Sequence, residues 1–345
     1  MKKTVLILGA GASADYGYPL WGPLREQMLD LDIETFLINE VGLDEAETAA
    51  HKAVYEEFLD FAASHPAFTL DQIIHRIDLP KAKHLNPTGH LLVNIAGYLL
   101  AEIEIAKRDA GWVTEFQELL VEYLISNADS SNPSQNLLSD FSVVSLNYDR
   151  VFEHYISHDF YKKMVAHPAY NIPSAGMAIT FSRGNQLQVY KPHGYICHLG
   201  NQNSVSKVGM NRDLILTNTN AQGTRYPGND QNVTYGDSRI TGSDIFLRMG
   251  RHMYVVDERG VDDYRAPNTL LNNAEVVICL GLSHAGISQS ALDFSTVKKV
   301  YISNKEEDID LIKKEKPGPS YVSMGSDGAR LNASEFSEKF NTICL

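Results

Sequence analysis

Short, unbroken apolar runs alternate along this chain with longer stretches in which apolar residues recur at helical spacing. The first run, Thr4 to Leu8, is continuous and predicts a buried strand. It ends in Gly9-Ala10-Gly11-Ala12-Ser13, a small-residue turn that lets backbone approach a ligand and predicts a helix from about Ala12. Trp21 to Leu37 has a helical pattern. From Asp44 to Ala62 the apolar positions Ala50, Val54, Phe58 and Phe61 recur at spacings of four, four and three. Leu92, Ile95, Ala96, Leu99 and Ile103 repeat that pattern after Pro87, and Val113 to Ile125 extends it. Together they predict a helical block from about 34 to 126 with no strand inside it, closed by the loop signal Ser130-Ser131-Asn132-Pro133-Ser134.

Strand signals then resume at Phe141 to Leu146, Val189 to Lys191, Glu275 to Leu280 and Val300 to Ser303. Helical patterns follow at Tyr148 to Ser157, Ile287 to Phe294 and Glu306 to Lys314. Strand-then-helix alternation predicts an α/β fold, a doubly wound parallel sheet covered on both faces, here carrying a large helical insertion. Between Asn201 and Ser243 the chain is rich in Asn, Gly and Thr and too long for an ordinary connection, which predicts a functional lid or a small irregular module. At 345 residues the expectation is one domain, 1–345, grown by insertion.

Composition narrows the function classes. With 43% hydrophobic and 21% charged residues the chain has the balance of a protein that buries a core. Thirty basic against 43 acidic residues give −13, a field that repels phosphate backbones and anionic lipid, so neither nucleic acid nor membrane is expected as a direct partner. Lys2-Lys3 before an apolar run resembles the start of a signal peptide, but the run is shorter than the roughly 7–15 residues of a secretory core. Cys197, Cys279 and Cys344 are too few and too scattered for a disulfide framework or a four-cysteine zinc ribbon, and a cytoplasmic location is the expectation.

Candidate chemistry gathers at the ends of the predicted strands. Gly9, Gly11 and Ala14 fit the spacing GxGxxG/A, in which backbone N–H groups and a helix N-terminus face a phosphate. A tight turn without ligand fits the same residues. A dehydrogenase would also need a second strand ending in an acid about 20 residues on. Asp30 and Asp32 stand there, but within a helical pattern, which argues against that class. Asn147 and Asp149 follow a buried strand: Asn147 holds a ribose hydroxyl or water, or else caps the next helix, and Asp149 orients the loop or favours that helix's first turn. His193, between a rigid Pro192 and Gly194, suits acid–base work near neutrality, while as one of 12 histidines it fits a structural role as well. Glu153, His154 and His158 imitate a metal pair without a third ligand motif, so no metal is expected. Gly281-Leu282-Ser283 and Asn304 end two further strands and could meet an adenosine half. Met249 and Met253 follow no spacing that separates a binding stripe from core.

Taken in order, Gly9-Ala10-Gly11-Ala12-Ser13 with Gly17-Tyr18-Pro19, then Asn147-Tyr148-Asp149, His193-Gly194, Gly281-Leu282-Ser283 and Asn304 resemble the motif series of the sirtuin superfamily. The resemblance spans nearly the whole chain and implies a Rossmann-like sheet that binds NAD with its nicotinamide end buried. Only Cys197 stands between His193 and Gly281, so the paired-cysteine zinc ribbon of sirtuin deacylases cannot form. Leu20-Trp21-Gly22 replaces their Phe-Arg, and Leu146 their Gln. That pattern looks like the bacterial sirtuin-like domains of antiphage defence, which hydrolyse NAD to nicotinamide and ADP-ribose.

The resemblance implies roles. Asn147 and His193 would be required for activity, with Asp149 orienting the site. Gly9, Ala10, Gly11, Ala12 and Ser13 would bind the pyrophosphate; Gly281, Leu282, Ser283 and Asn304 would meet the adenosine side. NAD would be substrate, without a metal. A homo-oligomer and a partner protein of a defence operon, such as an ATPase, are family-level expectations. Two alternatives stay open: an NAD-dependent protein deacylase or ADP-ribosyltransferase, and a non-catalytic module sensing NAD or ADP-ribose.

Overall fold

The computed structural model describes residues 1–82, 90–106, 111–127, 138–149, 151–153, 188–194, 196, 233–235, 238–240, 246, 253, 264–325 and 335–345. Its centre is β1 (Thr4–Leu8), buried at every position. The other strands are β2 (Phe141–Ser145), β3 (Gln188–Tyr190), β4 (Val233–Tyr235), β5 (Ser238–Ile240), β6 (Val276–Leu280), β7 (Lys299–Ile302) and β8 (Ser320–Ser323). A six-stranded sheet runs β3-β2-β1-β6-β7-β8, and β4 and β5 pair apart from it as an antiparallel hairpin. Every pairing in the large sheet is parallel; Leu6 of β1 lies opposite Val143 on one side and Ile278 on the other.

Alternate strand residues feed two separate cores, which is why these strands read as unbroken apolar runs. Leu6, Leu8, Phe141, Val143, Ile278 and Leu280 face one core, Val5, Ile7, Val144, Val277, Cys279 and Val300 the other. The fold is therefore α/β with helices on both faces. The second core is closed by α7 (Arg265–Asn272), α8 (His284–Gln289) and α9 (Glu306–Glu315), through Leu271, Ile287, Ile309 and Ile312.

The first core receives the helical insertion. After α1 (Ala10–Ala14) and α2 (Trp21–Leu29) come a short turn, Ile33–Thr35, a π-helix, Phe36–Val41, and then α3 (Glu45–Ser64), α4 (Leu70–Ala82), α5 (Leu91–Ala106) and α6 (Trp112–Asn127). α3 starts with a reciprocal capping box between Asp44 and Glu47. Phe116 of α6 packs edge-on to Phe141 of β2 and to Phe340 of α10 (Phe336–Cys344), with ring centroids 5.8 and 4.9 Å apart.

Several boundaries differ from the sequence reading. Trp21 to Leu37 is not one helix, because the Asp32 carboxylate accepts from the Thr35 N–H and hydroxyl at 3.2 and 2.8 Å and starts a new segment. α8 runs His284–Gln289 rather than Ile287 to Phe294, since Ser283 caps it and the later apolar residues Leu292 and Phe294 are buried in loop. β8 had no signal: it is a short strand at the sheet's edge, and its residues Ser-Tyr-Val-Ser are only partly buried or exposed. Beyond Glu153 the expected Tyr148 to Ser157 helix lies outside the described residues, as do His154, His158, Cys197 and Met249; of Asn201 to Ser243, only the hairpin strands are described. Met253 is buried and forms a bridge with Gly194. Among the described residues no helix is long and apolar enough to cross a membrane.

Candidate functional site

In chain order the sheet grows one way from β1 through β2 and β3, then jumps back beside β1 and grows the other way through β6, β7 and β8. Such a reversal opens a crevice at the C-terminal ends of the two central strands, where open parallel sheets take their ligands. All five motif segments stand at such strand ends.

Gly9 is the joint of the crevice. Its N–H donates to Leu280 O at 2.9 Å and the Gly11 N–H to Gly281 O at 2.8 Å, so the turn after β1 lies directly on the turn after β6. A Cβ on Gly9 would stand 2.7 Å from Gly281 O, and one on Gly281, whose φ is +67°, would stand 2.0 Å from Ala12 N. Glycine at both positions follows from that crossing. With Ala12 N–H donating to Gly9 O at 2.9 Å, three amides of the expected phosphate cradle are committed to backbone oxygens.

Beside this joint lies a buried polar network. Asn147 Nδ2 donates to Gly9 O at 2.9 Å and to Ser13 Oγ at 2.7 Å. Ser13 Oγ donates in turn to Asp149 Oδ2 at 2.6 Å. Tyr16 Oη lies 3.0 Å from Asp149 Oδ1 and 2.9 Å from Ser13 Oγ; its single proton goes to the carboxylate, the stronger acceptor. Asp149 also takes the Val151 N–H at 3.2 Å, so it caps the turn Val151–Glu153 while bracing the site. Asn147 does not cap that turn; it reaches back across the sheet. Its amide orientation is fixed chemically, because Gly9 O can only accept and the atom facing it must be nitrogen. Both amide hydrogens are thereby used, and Asn147 offers a ligand its carbonyl oxygen Oδ1.

The end of β3 joins the same network from the far side. Lys191, fully buried, donates through Nζ to Asp149 O and, at 3.3 Å, to Ser145 Oγ. Gly194 N–H donates to Lys191 O at 2.9 Å, and Ile196 N–H to Tyr148 O at 3.0 Å, which lashes the His193 loop to the end of β2. His193 is 4% exposed. Its Nε2 is hydrogen-bonded to the hydroxyl of Tyr264, and its ring lies at an angle of 41° to that of Tyr148, centroids 6.4 Å apart.

Ala10, Ser13, Asn147 and Asp149 line one cleft of about 440 Å³, open mouth included. Tyr18, Pro19, Trp21, Leu24 and Leu100 supply apolar walls, the last from the helical insertion. An apolar cleft with a few convergent polar groups is the usual form of a small-molecule site. The insertion is tied to this site by Trp112, whose indole N–H donates to Ala12 O at 3.0 Å.

The remaining motif residues serve the turns beside the cleft. Ser283 Oγ accepts from Gly286 N–H at 3.0 Å and caps α8. Asn304, 6% exposed, donates from Nδ2 to Leu282 O at 2.9 Å and accepts the Lys305 N–H at 2.9 Å, clipping the β7 turn to the β6 turn. Burial pushes the thiol of Cys279, just below on β6, well up, which leaves it protonated and unreactive at neutral pH. Among the described residues no group of His, Cys, Asp and Glu is arranged to hold a metal ion.

Tyr16, Lys191 and Tyr264 were missed from sequence. Tyr16 stands three residues after Ser13, a helical spacing that could have flagged it; Lys191 passed as the end of a strand. Tyr264 lies 71 residues from His193 and carries no local signal. Compared with protein-family models and with curated proteins, the chain matches none.

Proposed function

We propose that this chain is an NAD glycohydrolase, cleaving NAD to nicotinamide and ADP-ribose at the C-terminal edge of a Rossmann-like sheet. The observation that carries the reading is the buried Ser13–Asn147–Asp149 network at the floor of an apolar cleft, beside the point where strand order reverses. The order of the six strands agrees with that of dinucleotide-binding sheets, and the cleft combines apolar walls with a few convergent polar groups.

Nicotinamide leaves the ribose as a neutral ring: the glycosidic C–N bond breaks with its electron pair going to the pyridinium nitrogen, and an oxocarbenium-like centre remains. Water adds to the anomeric carbon and gives up a proton to His193. Asn147 Oδ1 accepts from a ribose hydroxyl or from that water, held still by its two donated bonds. Asp149 fixes Ser13, and Ser13 fixes Asn147. Trp21, Tyr18 and Leu100 flank the flat leaving group and keep bulk water from it. Because the Gly9, Gly11 and Ala12 amides are committed and the floor of the cleft offers acceptors, the pyrophosphate stays at the mouth beside Ala10, with the β6 and β7 turns toward the adenosine. In the cell the reaction depletes NAD in the cytoplasm during antiphage defence, in a homo-oligomer switched by a partner protein such as an ATPase.

Chromatography of NAD incubated with wild type, Asn147→Ala and His193→Ala, with and without host lysate, tests this. Nicotinamide and ADP-ribose from wild type alone is the expected result. Intact NAD throughout, with binding seen by calorimetry, would replace the reading with the sensor module. Acyl-peptide turnover, or transfer of label to protein, without free ADP-ribose would replace it with the deacylase or transferase.

A further inference from the structure

His193 is held by a residue that no motif includes. Tyr264 immediately precedes α7, which leads into β6, so α7 runs antiparallel to the strands and its N-terminus returns to the edge of the sheet that carries the site. The phenol is 1% exposed and packed in the second core, and its hydroxyl meets Nε2 of His193. The two rings are edge to face, 79° apart with centroids at 5.9 Å. A ring on a loop at the end of β3 is thus anchored to a helix on the opposite half of the sheet.

We propose that Tyr264 is a positioning residue for His193: it fixes the imidazole and strengthens its hold on the proton taken up in the reaction. This rests on the assignment of His193 as the base of the glycohydrolase. The protonated ring carries hydrogen on both nitrogens, so the imidazolium donates Nε2–H to the phenol oxygen whichever tautomer the neutral ring adopts. A bond from a cation is roughly twice as strong as one between neutral groups, so the phenol favours the protonated state. Among the described residues, the other groups near the ring are the Tyr148 phenol from the end of β2 and, two residues back on its own segment, the Lys191 ammonium, which is turned to Asp149 O and Ser145 Oγ. The Asp149 carboxylate faces away, to Ser13 and Tyr16.

The test is Tyr264→Phe, which removes one oxygen and keeps the ring in its core contacts. With histidine labelled at Cε1, the resonance of His193, assigned by its loss in His193→Gln, is titrated by NMR in the full chain without NAD. The midpoint is expected to fall by about one pH unit. In NAD hydrolysis the acid limb of the kcat profile moves down with it, kcat falls on the order of tenfold, and KM stays within about twofold. A residue that served only the fold would lower stability without moving either midpoint. An unmoved His193 midpoint in Tyr264→Phe overturns the proposal, even where His193→Ala abolishes hydrolysis. If the midpoint falls but wild type leaves NAD intact under every trigger, the pairing stands and the glycohydrolase assignment is what fails. Should Tyr264→Phe not fold, 3-fluorotyrosine at position 264, a weaker acceptor with the same shape, is expected to lower the midpoint by a smaller amount; no change there also overturns the proposal.

Discussion

Ser13→Ala tests whether the polar network is the brace described. The substitution deletes a hydroxyl in a residue 3% exposed, leaves a methyl and alters no backbone preference of consequence. Two bonds disappear: the donation to Asp149 Oδ2 at 2.6 Å and the acceptance from Asn147 Nδ2 at 2.7 Å. The first ends on a carboxylate, for which about 1.5–3 kcal/mol is typical, and the second is neutral, about 0.5–1.5 kcal/mol. Asp149 keeps Tyr16 and the Val151 N–H, so it is not stranded, whereas one Asn147 N–H loses its acceptor. The expected cost is about 2–4 kcal/mol, large against the roughly 5–15 kcal/mol of a typical fold but short of unfolding it. Urea unfolding followed by circular dichroism measures it, with an unchanged slope confirming a common unfolded state. In an Asn147→Ala background the same substitution should cost about 1 kcal/mol less, because the shared bond is already gone. A cost under about 0.5 kcal/mol, or strict additivity of the two substitutions, would refute the network.

Other consequences follow from the same geometry. Gly281→Ala should destabilise by about 2–5 kcal/mol, combining a left-handed backbone with a Cβ 2.0 Å from Ala12 N; urea unfolding is the check, and an unchanged midpoint would refute the close crossing of the two turns. Asn147→Asp keeps an acceptor oxygen but has no N–H for Gly9 O or Ser13 Oγ, so NAD hydrolysis should fall as far as in Asn147→Ala; retained turnover would mean the tether is dispensable. Cys279 and Cys344 are buried, and burial holds the Cys344 thiol at about 11, so peptide mapping after iodoacetamide at about pH 8 should find both unmodified until urea is added.

The sheet was legible because its strands are buried on both faces, so burial writes itself as continuous apolar runs with small or polar residues where they end. Gly9, Asn147, His193 and Gly281 could be placed at strand ends from that pattern alone. What sequence could not supply was direction. Asn147 as a helix cap and Asn147 as a tether to Gly9 O use the same residue at the same position, and only the crossing of the β1 and β6 turns decides between them. Tyr264 was invisible for a related reason: its partner is set by α7 running antiparallel to the strands, a fact of topology rather than of local spacing. β8 was missed because an edge strand only partly buried carries little of the apolar signal that marked the rest.

The network also limits which ligand groups the floor of the cleft can recognise. Asn147 has both N–H groups on the protein and Asp149 is an acceptor, so the polar atoms they present are oxygens that accept. Such a floor suits hydroxyls, water and the amide hydrogens of a carboxamide, and disfavours phosphate, which brings only acceptors and negative charge. The formal charge of −13 acts in the same sense at longer range. A ligand that satisfies both conditions is one whose anionic part stays at the mouth while a sugar or an amide-bearing ring goes to the floor. On the proposed glycohydrolase reading, that orientation would bring the bond between ring and sugar next to Asn147, an expectation drawn from the direction of two hydrogen bonds rather than from the glycine turn that first suggested a nucleotide.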